Sequence, residues 1–220
     1  MSTITVSTRG HSCIVFQRDG ATLVVDPGVF SDPAAAAAAD AVLITHEHAD
    51  HVMVEPLAAA LGGADDVHVW APQGVVEQLA DAGADRAGLH VATPGDAIDV
   101  AGFQVQVLGG EHAVIHPDFG RLDNVAYLVE GVVLHPGDSL TPPPDGSAVE
   151  VLLAPVAAPW LKLSEAADYV RAVGAPRTVP IHDAILSEFG VSVVDGMMAG
   201  LCGSGYRRLA PGETLEVTAP

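Results

Sequence analysis

The chain has 220 residues, 49% of them hydrophobic, and nine Lys+Arg against 28 Asp+Glu give it a formal charge of −19. That length suits one domain over 1–220 with a core of its own, and the hydrophobic content excludes intrinsic disorder. No run approaches the roughly 20 unbroken apolar residues of a membrane span, and so acidic a body repels phosphate backbones and anionic lipid, so neither a nucleic acid nor a membrane is an expected partner.

The opening residues lack the apolar run of a secretory signal. Cys13 and Cys202 stand far apart and form no CxxC pair, so a reduced, cytoplasmic chain without disulfides is expected. After a first strand, Ile14–Phe16 and Leu23–Val25 read as strands joined by a hairpin turn at Arg18-Asp19-Gly20. Ala34–Ala39 predicts a short helix, with Asp32 capping and Pro33 at its first position. Ala41–Ile44 is short and apolar enough for a buried strand, and Val52–Leu61 and Gly74–Ala82 read as helices. Phe103–Leu108 alternates as a half-buried strand should. Val125–Val129 and Val132–Leu134 form a second hairpin around Glu130-Gly131. Thr141–Gly146 is a Pro-rich surface loop, and Val149–Leu153 is a strand. Ser164 can cap a helix running to Val173, with Glu165 and Asp168 near its positive end. Thr178–Ile181 is a strand and Val191–Leu201 a helix. Strands come in two batches, each followed by helices, and the hairpins break strand–helix alternation. That favours two mixed sheets with outer helices over one doubly wound parallel sheet.

The chemistry is carried by Thr45-His46-Glu47-His48-Ala49-Asp50-His51, directly after the strand Ala41–Ile44. His46 and His48 are two apart, so in an extended backbone they point the same way and can share one metal. Asp50 and His51 are adjacent, so they diverge and can serve a second. A helical His pair would need i,i+4 spacing, which is absent here.

An HxHxDH run at the end of an apolar strand resembles the signature of the metallo-β-lactamase superfamily. The resemblance implies a four-layer αββα sandwich of two mixed sheets. It extends to His112 in Gly109-Gly110-Glu111-His112, Asp138 in Pro136-Gly137-Asp138-Ser139, and His182 in Val179-Pro180-Ile181-His182. By it, His46, His48 and His112 hold one metal, Asp50, His51 and His182 a second, and Asp138 bridges them. The implied cofactors are two divalent ions. Zinc suits imidazole and carboxylate ligands, and manganese and iron are compatible. Gly10-His11-Ser12 and Asp26-Pro27-Gly28 look like the ascorbate-6-phosphate lactonase-like branch.

The expected activity is hydrolysis of a small-molecule ester, lactone or phosphoester by a hydroxide shared between two metals, with Asp50 as ligand and as orienter or acceptor of the proton. The alternatives are a metallo-nuclease or phosphodiesterase, a mononuclear-iron oxygen-using enzyme, and a metal-binding protein without turnover. Oligomeric state is left open, a homo-oligomer included. Asp26 is expected to hydrogen-bond the motif loop. His11 either lines the pocket or packs beneath it. Trp160 and Lys162, the single lysine, follow a core strand and either cover the substrate or begin a helix at the surface. Arg121 is a weaker anion-binding candidate. His116 and His135 are expected on the surface or in loops, and His68 and His90 as structural.

Overall fold

The structure is a computed structural model that describes residues 2–61 and 67–219. In chain order its elements are β1 (Ser2–Thr8), β2 (Ile14–Arg18), β3 (Ala21–Val25), α1 (Ala34–Ala37), β4 (Ala41–Leu43), α2 (Val54–Leu61), β5 (His68–Ala71) and α3 (Gln73–Asp81). A 3-10 turn at Arg86–Gly88 leads into β6 (Leu89–Val91), β7 (Ala97–Val100), β8 (Phe103–Gly109), β9 (Val125–Val129), β10 (Val133–His135) and β11 (Val151–Pro155). The chain closes with α4 (Leu163–Val173), β12 (Arg177–Ile181), α5 (Glu188–Cys202) and β13 (Leu215–Ala219).

The strands form two mixed sheets, ordered β13-β1-β2-β3-β4-β5-β6 and β12-β11-β10-β9-β8-β7. In the first, antiparallel pairing from β13 to β3 gives way to parallel pairing from β3 to β6. In the second, β7 to β10 pair antiparallel and β10 to β12 parallel. The sheets are the two inner layers of a four-layer sandwich and the helices the outer ones. The expected architecture is therefore the observed one.

Alternation within the strands explains the layering. Leu23 and Val25 of β3, Val151 and Leu153 of β11, Phe16, Phe103 and Tyr127 all join one cluster between the sheets. Val24 and Val42 turn the other way onto Leu57, Leu61, Val75 and Leu79 of α2 and α3. Leu128 and Leu152 pack on Ala166, Tyr169 and Val170 of α4 and Met198 of α5. Strands covered on both faces are buried along their whole length, so they read as continuous apolar runs. Tyr127 donates from its hydroxyl to the carbonyl of Ile44 at 2.9 Å, tying the second sheet to the end of β4.

Several boundaries differ from the sequence reading for local reasons. The helix expected at Val52 begins at Val54, because the amides of His51 and Val52 both bond the His48 carbonyl in the motif loop. The alanine run makes only the short α1, capped at Pro33, with the Asp32 carboxylate accepting from the Ala34 amide. Lys162, rather than Ser164, caps α4, and the Glu165 carboxylate accepts from the Lys162 amide. α5 starts three residues before Val191, with the Ser187 hydroxyl accepting from the Gly190 amide. The strand expected at Val149–Leu153 is β11, shifted two residues onward.

Candidate metal centre

Six loops build the site, and each leaves the C-terminal end of a strand. β1, β3 and β4 run in one direction in the first sheet, and β8, β10 and β12 do so in the second. They deliver His11, Asp26, the Thr45–His51 segment, His112, Asp138 and His182 to one edge of the sandwich. Three of these residues, His11, Asp26 and His182, adopt left-handed φ values of 51°, 51° and 58°. Non-glycine residues held there store strain that the surroundings must offset, a recurrent feature of functional sites. Close approach is needed as well. A Cβ on Gly28 would lie 1.9 Å from the Asp50 carbonyl oxygen, and one on Gly137 would lie 2.4 Å from Asn124 Oδ1.

The side chains gather into two groups whose ligand atoms all lie within 4.8 Å of one another: His46, His48, His112 and Asp138 in one, and His11, Asp50, His51 and His182 in the other. Every residue expected to hold a metal is in one of them. Asp138 faces both. Its Oδ1 is 3.1 Å from His51 Nε2, and its Oδ2 is 3.1 Å from His182 Nε2 and 3.4 Å from His112 Nε2. His46 Nε2 and His48 Nδ1 converge to 3.0 Å.

The outer ring nitrogens decide what the inner ones offer. Nδ1 of His51 donates to Asp26 Oδ2 at 2.7 Å, Nδ1 of His112 to the Ala113 carbonyl at 2.5 Å, and Nδ1 of His182 to the Ala157 carbonyl at 2.6 Å. In the neutral ring the proton is then on Nδ1, and Nε2 presents a lone pair. These three Nε2 atoms and Asp138 Oδ1 are buried without a hydrogen-bond partner. Lone pairs facing a carboxylate at such distances need a cation between them. The donor set of imidazole nitrogens and carboxylate oxygens therefore fits two divalent transition-metal ions.

Electrostatics agree. Burial favours neutral His51, yet Asp26 and Asp138 outweigh it and lift the ring to about 10 in the metal-free chain. Burial also opposes ionised Asp50, but the His11 hydrogen bond and the charges of His51 and His182 bring its carboxyl down to about 2. Burial opposes ionised Asp138, yet the charge of His51, followed by the hydrogen bonds of His112 and His182, holds it well below the usual carboxylate range. Burial holds His46 well below the ordinary histidine value.

His11 is built the other way round. Its Nδ1 accepts from the Ala184 amide at 3.2 Å, so the neutral ring carries its proton on Nε2, 3.2 Å from Asp50 Oδ2. Its carbonyl accepts from the His182 amide at 3.1 Å. Asp26 is fully buried and does what the sequence suggested: its carboxylate accepts from the Thr45 amide at 2.8 Å, the Thr45 hydroxyl at 2.7 Å and His51.

Trp160 donates from Nε1 to Asp138 Oδ2 at 2.8 Å. Its neighbour Lys162 is not in either group; its ammonium is exposed and pairs with Glu165 at 3.5 Å. Arg121 is exposed and pairs with Glu111 at 2.6 Å. His116 lies exposed in a loop, and His68 and His90 stack half-buried at the sheet edge with Trp70.

His135 corrects the sequence reading. It is no surface or loop residue but the fully buried last residue of β10, donating from Nε2 to the Ser12 carbonyl at 2.9 Å and accepting on Nδ1 from the Gly137 amide at 3.2 Å. It ties the Asp138 turn to the His11 loop. Asn124 also supports the Asp138 turn. Its Oδ1 accepts from the Asp138 amide at 2.9 Å and its Nδ2 donates to the Pro136 carbonyl at 2.9 Å. The adjoining sequence carries no motif that announces it.

A family model described as the beta-lactamase superfamily domain matches residues 5–182. The chain belongs to this superfamily. Among superfamily relatives, Protein Rv0786c of Mycobacterium tuberculosis is 40% identical over 184 residues, covering 81% of this chain and 83% of that protein. A probable L-ascorbate-6-phosphate lactonase, UlaG of Salmonella paratyphi B, is 32% identical over 125 residues, 49% of this chain and 35% of its own. The likeness to that branch is thus confined to part of each chain. Among solved structures, Igni18, a metallo hydrolase of Ignicoccus hospitalis, shares the fold with a TM-score of 0.71 at 20% identity, over 99% of each chain. YhfI of Bacillus subtilis, a metallo-beta-lactamase fold protein, gives 0.69 at 20% identity over 98% of this chain and 99% of its own.

Proposed function

We propose that this protein is a dinuclear metal-dependent hydrolase that opens a small-molecule lactone or ester. The observation that carries the reading is the set of orphaned, buried Nε2 and carboxylate atoms facing one another from both sheets. His46, His48 and His112 would hold the first ion and Asp50, His51 and His182 the second, with Asp138 within reach of both groups. Two such cations supply an activated water and a charge that polarises the oxygen under attack. Zinc is the proposed metal, since its borderline softness suits three imidazoles or two with a carboxylate.

The chain's own groups divide the remaining work. Asp26 fixes the tautomer of His51. Trp160 orients Asp138 through Oδ2 and leaves its other oxygen toward His51. Asp50, whose Oδ2 lies 3.2 Å from His11 Nε2 and 3.5 Å from His182 Nε2, would hold metal and orient water. With its proton on Nε2, His11 serves as a donor that positions Asp50 and not as a further ligand. A cavity of about 290 Å³ beside His112 is lined by Val114, Ile115, Phe119 and Leu122, with Arg121 at its side committed to Glu111. That lining favours an uncharged, partly apolar substrate over a phosphorylated one. The partial likeness to a probable lactonase supports lactones as the first class to test. The buried Cys13 thiol, pushed up to about 12 by burial, and the unpaired Cys202 suit a reducing cytoplasm.

The test is a panel of neutral lactones, carboxylic esters, phosphodiesters and a short RNA, assayed with metal-free and metal-reloaded protein. Metal-dependent turnover of a neutral lactone or ester is expected, with little dependence on salt. Turnover confined to RNA, falling steeply with salt, would replace this reading with a nuclease.

A further inference from the structure

We infer that α5 is the contact surface through which two copies of this chain associate. α5 buries one side chain fully, Met198, while Val194 and Cys202 pack partly against the cluster beneath α4. The flank beside this buried face is apolar and uncovered: Phe189 is 80% exposed and Met197 53%, with Val193 and Leu201 exposed along the same row. These four recur every fourth residue, so they form one ridge along the helix. Ile185, three residues upstream of the helix, is exposed too.

Beside the ridge, rotated by roughly 60° about the helix axis, runs a second row: Ser192, Gly196 and Gly200. Glycine weakens a helix interior, and a solvated face gains nothing from it. Space over both glycines is open, with no atom within 4 Å of where a Cβ would sit. A groove floored by glycine lets another helix approach closely, and the object that fits it is a ridge of large side chains. This helix carries both. When two copies meet about a twofold axis, each ridge enters the other's groove, which is the self-complementarity a closed dimer requires.

Charge selects the same occupant. A chain at −19 attracts basic partners through its carboxylates and repels its own kind elsewhere. Beyond the first turn, where Glu188 heads the Ser192–Gly196–Gly200 row, the outward face of α5 presents no charged residue, since Asp195 is turned aside to Arg208 and Tyr206, each at 2.7 Å. It is a place where two acidic copies can touch without opposing charges of like sign. A helix about 22 Å long and about 11 Å across offers on the order of 400 Å² on one face, about half of the roughly 800 Å² that each partner gives to a standard interface, which suits a concentration-dependent association.

Sedimentation velocity of the full metal-loaded chain over a micromolar concentration series tests this. A monomer–dimer equilibrium is expected, and it should hold or tighten as salt rises, because screening relieves the repulsion and leaves apolar contact intact. Met197→Glu and, separately, Gly200→Glu should weaken association by roughly tenfold or more. Both sites are exposed and far from the metal centre in sequence, and nothing lies within 4 Å of where a Cβ on Gly200 would sit, so circular dichroism and metal content should be unchanged. Phe189→Ser provides a milder variant in the same direction. A wild-type chain that stays monomeric throughout, or a dimer indifferent to all three substitutions, would overturn the proposal. Monomer that floats with zwitterionic phosphatidylcholine vesicles would overturn it in favour of a bilayer as the occupant.

Discussion

Asp26→Asn exchanges one carboxylate oxygen for an amide and leaves volume unchanged, yet it should cripple the second metal position. In the native site one carboxylate accepts three hydrogen bonds, from the Thr45 amide, the Thr45 hydroxyl and His51 Nδ1. An asparagine has one acceptor end and one donor end. If its oxygen faces Thr45 N–H, its NH2 meets His51 Nδ1 and forces the proton to Nε2, the atom aimed at Asp138. If it flips, two N–H groups confront each other at Thr45. Either arrangement costs about 1–3 kcal/mol, the usual penalty for a buried group left unpaired. Loss of such an outer partner typically costs 10–100-fold in metal affinity, about 1.4–2.7 kcal/mol. Asp26→Ala orphans all three donors and should cost on the order of 3–6 kcal/mol in stability. The assay is titration of metal-free protein with zinc, followed by calorimetry and by thermal melting. The first equivalent should bind as in wild type and the second 10–100-fold more weakly. An Asp26→Asn chain that takes up both equivalents with native affinity would refute the tautomer argument.

In the metal-free chain His51 is lifted from 6.5 to about 10: burial opposes this, and Asp26 and Asp138 outweigh it. A raised folded-state value stabilises fully below the unfolded value and is lost as pH climbs through the folded one. Metal-free Tm should therefore fall between about pH 6.5 and 10, and metal uptake at neutral pH should release protons, read with an indicator dye; a Tm rising across that window would contradict the assignment. Gly28→Ala should push the Asp50–His51 backbone aside, costing about 1–3 kcal/mol and the second metal equivalent, checked by melting and elemental analysis. His11→Ala should lower turnover while two equivalents still bind at saturation, and His11→Gln, which keeps a donor for Asp50, should recover much of the loss. A chain limited to one equivalent by His11→Ala would make His11 a ligand.

The architecture was legible because the central strands are covered on both faces and read as unbroken apolar runs, as in Leu23–Val25 and Val151–Leu153, while the half-covered β8 alternates. Among the strands without an assigned range in the sequence reading are β7 and β13. The turn joining β7 to β8 is Ala101-Gly102, with φ of 50° and 78°. Alanine there carries none of the asparagine or aspartate signal that marks such turns. β13 pairs with β1 across the whole length of the chain, a contact no local pattern reports. His46 and His48 were legible because side chains two apart on extended backbone share a direction, whereas His112, Asp138 and His182 were implied by the family resemblance. His135 and Asn124 were not, because their work is to hold backbone groups of other loops. Neighbours in sequence say nothing of that.

The central claim is that two metal ions sit together at this edge of the sandwich, with Asp138 between them. Metal content of protein stripped with chelator, reloaded to saturation and freed of excess measures it most directly. Two equivalents per chain are predicted, falling toward one for His51→Ala and with the lost equivalent at the second position. Binding that never exceeds one equivalent in the native chain would contradict the account.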